Sequence, residues 1–145
     1  MPPTDELTTL RDELRALTDR AALTDLVHRL GLWLDGRADD DPEQLFTLDV
    51  TASTPGGEAV GRDAIVAQAR HNHDMPTHHL IGNVLPAVDG DTATIRANVT
   101  GHFVRAEGGV PGPTELGGRY RLGATRTAAG WRLTSIAVEP VWRVA

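Results

Sequence analysis

The feature that most constrains the fold of this chain is a change of hydrophobic period near Pro76. Before it, apolar residues recur every three or four positions, which is typical of amphipathic helices. After it, apolar and polar residues alternate along residues 77–88 and 91–107, which the turn dipeptide Asp89-Gly90 joins. A second pair of alternating segments follows. Helices that precede an antiparallel meander predict an α+β fold in which the helices pack on one face of a curved sheet.

Four helices are expected in the first half of the chain. They are predicted to begin near Thr4, Thr18, Asp41 and Arg62. The first carries leucines at helical spacing, and the second ends at Gly36, a residue suited to a helix C-terminus. We divide the chain accordingly into an N-terminal accessory helix, residues 1–16, and a single α+β domain, residues 17–145.

The composition excludes several kinds of chemistry. The chain has no cysteine and no lysine, and its 14 basic residues other than histidine are all arginine. Catalysis by a thiolate or through a lysine Schiff base is therefore impossible. Its formal net charge of -6 disfavours binding to nucleic acids or anionic membranes. No apolar run reaches the ~18 residues of a membrane span, and the first residues lack the pattern of a secretion signal. We therefore expect a cytoplasmic protein without nucleic-acid or membrane partners.

Asp35 is the most unusual carboxylate in the sequence. It follows Leu30-Gly31-Leu32-Trp33-Leu34, a helical turn that is apolar on nearly every side and is therefore expected to be buried. Burial and the negative end of the helix dipole both raise the pKa of a carboxyl group, unless a cationic partner lowers it. The alternative is a solvated residue that ends the helix beside Gly36.

The strand alternation predicts which histidine faces the helices. If Asp89-Gly90 is a two-residue turn, His79 shares a face with Asn98 and His102. If instead the opposite, apolar face packs on the helices, His78 points inward, whereas a β-bulge would reverse the alternation. We favour His79 as the pocket residue. The opposite face carries Leu80, Val84, Ile95, Val99 and Phe103.

Two further features bear on partners and metals. The apolar stripe of Leu80, Ile95, Val99 and Phe103 predicts a homodimer, because a second copy would cover it. Potential metal ligands also crowd into a short segment: His71, His73, Asp74, His78 and His79. Because no well-spaced third ligand follows them, we expect no metal or other cofactor. A metal-dependent enzyme is the less favoured alternative.

Short segments along the chain keep an order and spacing that carry a resemblance. They are Leu32-Trp33-Leu34-Asp35, Gly61-Arg62-Asp63-Ala64-Ile65, Thr77-His78-His79-Leu80-Ile81-Gly82-Asn83, Asp89-Gly90-Asp91-Thr92-Ala93, Gly118-Arg119-Tyr120 and Gly130-Trp131-Arg132. Together they resemble the SnoaL-like branch of the nuclear-transport-factor-2-like superfamily, from about Leu17 to Trp142. The resemblance implies a cone-shaped α+β fold. It leaves the activity open, because the superfamily includes dehydratases, isomerases, polyketide cyclases and non-catalytic binding modules.

The catalytic pattern is similar to that of scytalone dehydratases. The resemblance implies that their helix-end aspartate corresponds to Asp35 and their strand histidine to His79. It places a second strand histidine at His102. Leu34 stands where those enzymes have a tyrosine, which is a departure from the pattern.

These residues together predict a cofactor-independent acid–base enzyme. It would be a dehydratase, isomerase or cyclase that acts on a hydrophobic oxygenated small molecule, such as a polyketide-type intermediate. Asp35 would fix the tautomer of His79, His79 would move the proton, and His102 would help to hold the substrate oxygen. The predicted substrate-binding residues are Leu34, Met75, Asn98 and Tyr120. The alternative is a non-catalytic ligand-binding or dimerisation module with the same fold.

Overall fold

One long helix packs on one face of a six-stranded sheet. The computed structural model describes residues 3–36 and 41–145. The helices are α1 (Thr4–Leu34), α2 (Pro42–Leu45) and α3 (Arg62–Asn72). The strands are β1 (Phe46–Thr54), β2 (Gly57–Val60), β3 (Thr77–Asp89), β4 (Thr92–Phe103), β5 (Glu115–Thr127) and β6 (Gly130–Val144).

The strands follow the order β2-β1-β6-β5-β4-β3 across the sheet. β1 runs parallel to β6, and the other neighbouring pairs are antiparallel. Register shifts interrupt the β1–β6, β3–β4 and β5–β6 pairs, and such bulges bend strands and increase their twist. The predicted α+β fold, with helices on one face of a curved mixed sheet, is confirmed.

α1 is one continuous helix, so the prediction of two separate helices between Thr4 and Gly36 is wrong. No glycine or proline interrupts the chain near Thr18, and Asp19 binds side chains of the sheet instead of capping a new helix. The helix passes through the predicted boundary between residues 16 and 17 without a break. The division of the chain at that point stays a prediction. Among the described residues, no helix is both long and apolar enough to cross a membrane.

The core lies between one face of α1 and the inner face of the sheet. α1 contributes Leu23, Leu26, Val27 and Leu30, all almost fully buried. Near its end, Gly31 lets the helix approach β3 closely, since a Cβ there would lie only 3.0 Å from Cδ1 of Ile81. This close approach brings the last turn of α1, and with it Asp35, against β3.

A β-bulge in β3 decides which histidine faces inward. The β3–β4 register shifts between Gly82 and Leu85, where Asn83 has a φ of 52°. This is the left-handed conformation, which asparagine tolerates better than most residues. The extra residue reverses the alternation of side chains along β3. On the N-terminal side of the bulge, His79 points into the molecule and His78 points out.

The predicted turn at Asp89-Gly90 is wrong, because Asp89 pairs with Thr92 and the two turn residues are Gly90 and Asp91. Together with the bulge, this leaves the predicted pairing of β3 with β4 wrong by one residue at His79. His79 lies opposite Gly101, and His78 lies opposite His102. The prediction that His79 shares a face with Asn98 and His102 fails for the same reason, because the even-numbered residues of β4 point outward.

The four residues of the predicted homodimer stripe lie on two different faces of the sheet. Ile95 and Val99 are buried in the core and Phe103 lines the inner face, whereas Leu80 lies on the outer face and is 58% exposed. The four residues do not form one surface, so the interface predicted from them is wrong.

Candidate active site

A pocket of about 170 Å³ lies between the end of α1, α3 and the inner face of the sheet. Its walls are mostly apolar and include Leu34, Phe46, Val99 and Ile136. The β1–β2 turn and the loop between β4 and β5 also contribute to the lining. Enclosed apolar pockets with a few convergent polar groups are typical of small-molecule sites. The polar side chains of greatest chemical interest here are His73, His79 and Tyr120.

Asp35 and His79 form a close pair at the wall of this pocket. Nδ1 of His79 lies 2.6 Å from Oδ1 of Asp35. The backbone N–H of His79 donates to Asp35 Oδ2 at 2.9 Å, and the Thr77 hydroxyl donates to Asp35 Oδ1 at 3.0 Å. The side chains of His79 and Asp35 are only 7% and 5% exposed. The carboxylate and the imidazole are therefore held in one fixed arrangement.

The contact between Asp35 and His79 sets the tautomer of the imidazole. An ionised carboxylate only accepts hydrogen bonds, so Nδ1 of His79 must carry a proton and donate it to Asp35. In the neutral ring, Nε2 then keeps a lone pair and can act as a base. A carboxylate that is hydrogen-bonded to Nδ1 also stabilises the imidazolium that forms when Nε2 is protonated.

Asp35 is ionised at neutral pH in spite of its burial. Burial alone would raise the pKa of its carboxyl group, but the hydrogen bonds and charge of His79, with the Thr77 hydroxyl, hold that pKa below its usual range. The sequence predicts a raised pKa for Asp35 only if no partner lowers it, and in the structure His79 lowers it.

His73 also lines the pocket, although in the sequence it stands out only as a potential metal ligand. It follows α3, its ring centroid lies 5.3 Å from that of His79, and its ring stacks on Phe103 at 5.8 Å. Within the described part of the chain, its buried Nδ1 has no hydrogen-bond partner. Burial, together with the charge of a protonated His79, lowers the pKa of His73 to about 4, so it is neutral at pH 7. The sequence could not reveal this, because the burial of His73 depends on how α3 packs against the sheet.

We expect the buried His73 to make the protein lose stability as the pH falls from about 6.5 to about 4. Between these values His73 takes up a proton in the unfolded chain but not in the folded one, so acid favours unfolding. His73→Phe keeps an aromatic ring against Phe103 and should remove about 2 kcal/mol of this pH-dependent loss. Urea unfolding across this pH range measures the effect. The control is His78→Phe, because His78 is exposed. Identical pH profiles for wild type and His73→Phe would contradict a buried, neutral His73.

The predicted substrate-binding residues on the inner side behave differently from one another. Leu34 and Tyr120 both line the pocket. Burial, with the nearby charge of Asp35, raises the pKa of the Tyr120 hydroxyl, so this phenol keeps its proton and can donate a hydrogen bond. Met75 is partly buried, but it does not line this pocket.

Asn98 and His102 do not reach the pocket. Both are exposed on the outer face of the sheet, where His102 pairs with His78 and Asn98 lines a separate groove. The predictions that place them beside His79 are wrong, because the bulge in β3 shifts that strand by one residue against β4.

Gly101 makes room for the aromatic ring beside His79. A Cβ at this position would lie 2.6 and 2.9 Å from two ring atoms of Phe103. We expect Gly101→Ala to displace that ring from His73 and to lower the free energy of unfolding by about 1–3 kcal/mol, the usual cost of overpacking. The matched control is Gly82→Ala, where a Cβ meets nothing within 4 Å. Chemical unfolding checks this, and equal losses of stability in the two variants would argue against crowding at Gly101.

Within residues 3–36 and 41–145, no three histidine, aspartate or glutamate side chains gather into a set that could hold a metal ion. The histidines that crowd together in the sequence divide between the surface and the pocket. His71 and His78 are exposed, whereas His73 and His79 line the pocket.

The sequence matches the SnoaL-like domain family over residues 15–137. The chain belongs to the SnoaL-like family. Among solved structures, this SnoaL-like protein is similar to the Kfla4162 protein from Kribbella flavida, with 30% identity, a TM-score of 0.76, and coverage of 88% of this chain and 94% of that one. It is also similar to an NTF2-like protein with a cystatin-like fold from Novosphingobium aromaticivorans, with 28% identity, a TM-score of 0.75, and coverage of 96% and 92%.

A more distant similarity extends the comparison of folds. Hexachlorocyclohexane dehydrochlorinase LinA-type3 from Novosphingobium barchaimii is 17% identical, with a TM-score of 0.74 and coverage of 91% of this chain and 92% of that one. At this identity the comparison bears on the fold alone. No curated protein sequence matches this chain.

Proposed function

We propose that this SnoaL-like protein is a cofactor-independent acid–base enzyme in which His79 moves a proton and Asp35 positions and stabilises it. The observation that carries the proposal is the 2.6 Å contact between His79 Nδ1 and Asp35 Oδ1 at the wall of a mostly apolar pocket. Buried, charge-paired titratable groups in a pocket are typical of active sites, because catalysis needs groups whose protonation is controlled.

The proposed chemical step is removal of a proton from a carbon beside a carbonyl group. Nε2 of His79 takes the proton, the C–H bonding electrons form an enolate, and Asp35 stabilises the resulting imidazolium. The imidazolium then returns the proton to another carbon in an isomerisation, or to a departing hydroxyl group in a dehydration, which releases water. In a cyclisation, the enolate carbon bonds to a second carbonyl carbon of the same molecule, the π bond of that carbonyl breaks, and the imidazolium protonates the resulting alkoxide.

Tyr120 and His73 are proposed to hydrogen-bond the substrate oxygen on which negative charge develops. Both line the pocket beside His79. Tyr120 keeps its phenolic proton, and His73 is neutral at pH 7, so each can donate a hydrogen bond without adding a positive charge. In this proposal they take the role first expected of His102 and Asn98.

The lining of the pocket supports a hydrophobic, oxygenated small molecule as substrate. Leu34, Phe46 and Phe103 present apolar surface, and Tyr120 and His73 line the same pocket as His79. A polyketide-type intermediate has this combination of carbon skeleton and carbonyl oxygens. In the proposed mechanism, dehydratase, isomerase and cyclase activities all begin with the same removal of a proton beside a carbonyl group.

The test is the incorporation of solvent deuterium into candidate substrates. The protein is incubated in D₂O with a panel of hydrophobic ketones and β-hydroxyketones, and mass spectrometry detects deuterium gained beside the carbonyl, loss of water, or rearrangement. We expect at least one probe to exchange or react in a way that depends on His79. Probes that bind and shift the NMR signals of His79, while none exchanges or reacts, would contradict the enzyme and support a non-catalytic binding module.

A further inference from the structure

The first half of α1 carries a row of exposed leucines. Residues 3–18 are all exposed, and Leu7, Leu10, Leu14 and Leu17 are 37%, 53%, 65% and 66% exposed. Their spacing of three, four and three residues is that of the a and d positions of a heptad repeat. We call these four residues the leucine seam.

The leucine seam cannot pack on the sheet of its own chain. With 3.6 residues per turn, the seam and the buried residues Leu23, Leu26 and Leu30 project from nearly opposite faces of the same helix. The buried face holds α1 on the sheet, so the seam points away from the domain. Residues 4–14, which include most of the seam, also precede the part of the chain that matches the family.

We infer that the leucine seam binds the same seam of a second copy of this chain, as a short parallel coiled coil. Leucine at both a and d positions is self-complementary, since each side chain inserts between the side chains of an identical helix. The domains do not obstruct this pairing, because each lies on the side of α1 opposite to the seam. The inference concerns a surface outside the pocket and does not depend on its chemistry.

The charges beside the leucine seam favour the parallel arrangement. There, Glu6 of one chain lies next to Arg11 of the second copy, and the contact occurs twice by symmetry. In the antiparallel arrangement that also pairs all four leucines, Glu6 would lie next to Arg20, but Arg11 would face Arg11 and Glu13 would face Glu13. Like charges in these positions are unfavourable, so the sequence discriminates between the two orientations.

The test measures the assembly state of the full chain and of its variants by sedimentation velocity. The concentration is varied over about a hundredfold range, because a seam of two heptads gives a weak, concentration-dependent dimer. The double variant Leu10→Glu/Leu14→Glu should raise the dissociation constant by more than about 100-fold, since it puts charge at the centre of the contact. Both leucines are exposed in the single chain, so the fold should survive, which circular dichroism checks. The control Ala16→Glu adds charge to an exposed position of the same helical turn that points away from the seam, and it should leave the dimer intact.

A charge exchange tests the orientation. Glu6→Arg alone should weaken the dimer, and Glu6→Arg combined with Arg11→Glu should restore it. A monomeric wild type throughout the concentration range would overturn the inference. A dimer that Leu10→Glu/Leu14→Glu leaves unchanged would also overturn it, and would assign self-association to another surface. Failure of the paired charge exchange to restore the dimer would overturn the parallel arrangement.

Discussion

We expect His79→Ala to slow the proposed proton transfer by about 10²–10⁴-fold, the usual contribution of a positioned acid or base. Asp35→Asn should have an effect of similar size, because an amide neither holds the required tautomer reliably nor stabilises an imidazolium. The readout is the rate of deuterium incorporation into the most reactive probe ketone. The two losses should not add in the double variant, since the residues act as a unit.

The matched control is His78→Ala. This histidine is the immediate neighbour of His79 in the sequence but is exposed on the outer face of the sheet. The substitution His78→Ala removes the same type of side chain without changing the pocket, so deuterium exchange should proceed at the wild-type rate. Full activity in a folded His79→Ala protein, or equal losses in the two alanine variants, would refute the assignment of the base.

The second large effect is expected at Asp19, far from the pocket. Its carboxylate receives hydrogen bonds from Nη1 and Nη2 of Arg126 at 2.7 and 2.8 Å and from the Trp131 indole at 3.1 Å. Arg126 also lies over the Trp131 ring and bonds to Asp91. This network ties α1 to the turns at one end of the sheet. Asp19→Ala leaves the buried indole N–H of Trp131 without an acceptor and removes two hydrogen bonds of Arg126, which keeps its contact with Asp91. We expect a loss of about 1–3 kcal/mol in the free energy of unfolding, the usual cost of an unsatisfied buried donor.

Asp25→Ala provides the control, because Asp25 lies on the same helix but is exposed. Urea unfolding at pH 7 should show a change of less than about 0.5 kcal/mol for this variant. The hydrogen bonds of Arg126 also hold the pKa of Asp19 below its usual value. The stability that Asp19 contributes is therefore present above the unfolded pKa of about 3.9 and is lost as the pH falls through the lower, folded pKa. The difference between wild type and Asp19→Ala should shrink in acid, and a constant difference would contradict the ion pair.

Much of the fold could be predicted because it depends on residues close together in the chain. The change of period near Pro76 distinguishes helices from strands, and the apolar turn before Asp35 predicts its burial. The continuous α1 was missed because Thr18-Asp19 has the composition of a helix start. Nothing local reveals that the Asp19 carboxylate is held by Arg126, which lies over a hundred residues away in the chain.

The site could be predicted only in part. The resemblance favours His79, whereas the alternation of the strands, with the apolar face of the sheet against the helices, indicates His78. The bulge at Asn83 reverses that alternation, and a bulge is one extra residue whose position leaves no mark in the hydrophobic period. His73 was missed for a related reason, because its burial arises from the contact of α3 with Phe103 and the sheet.

The amino-acid sequence is enough to predict the α+β class and the SnoaL-like resemblance, because these follow from periodicity and from short local motifs, and it makes Asp35 a candidate for burial. The contact of Asp35 with His79, the position of His102 on the far side of the sheet and the direction of the α1 leucines away from the core come from the packing of the elements. Each of these depends on a register or a rotation between elements distant in the chain, and a shift of one residue exchanges the inside of a strand for its outside.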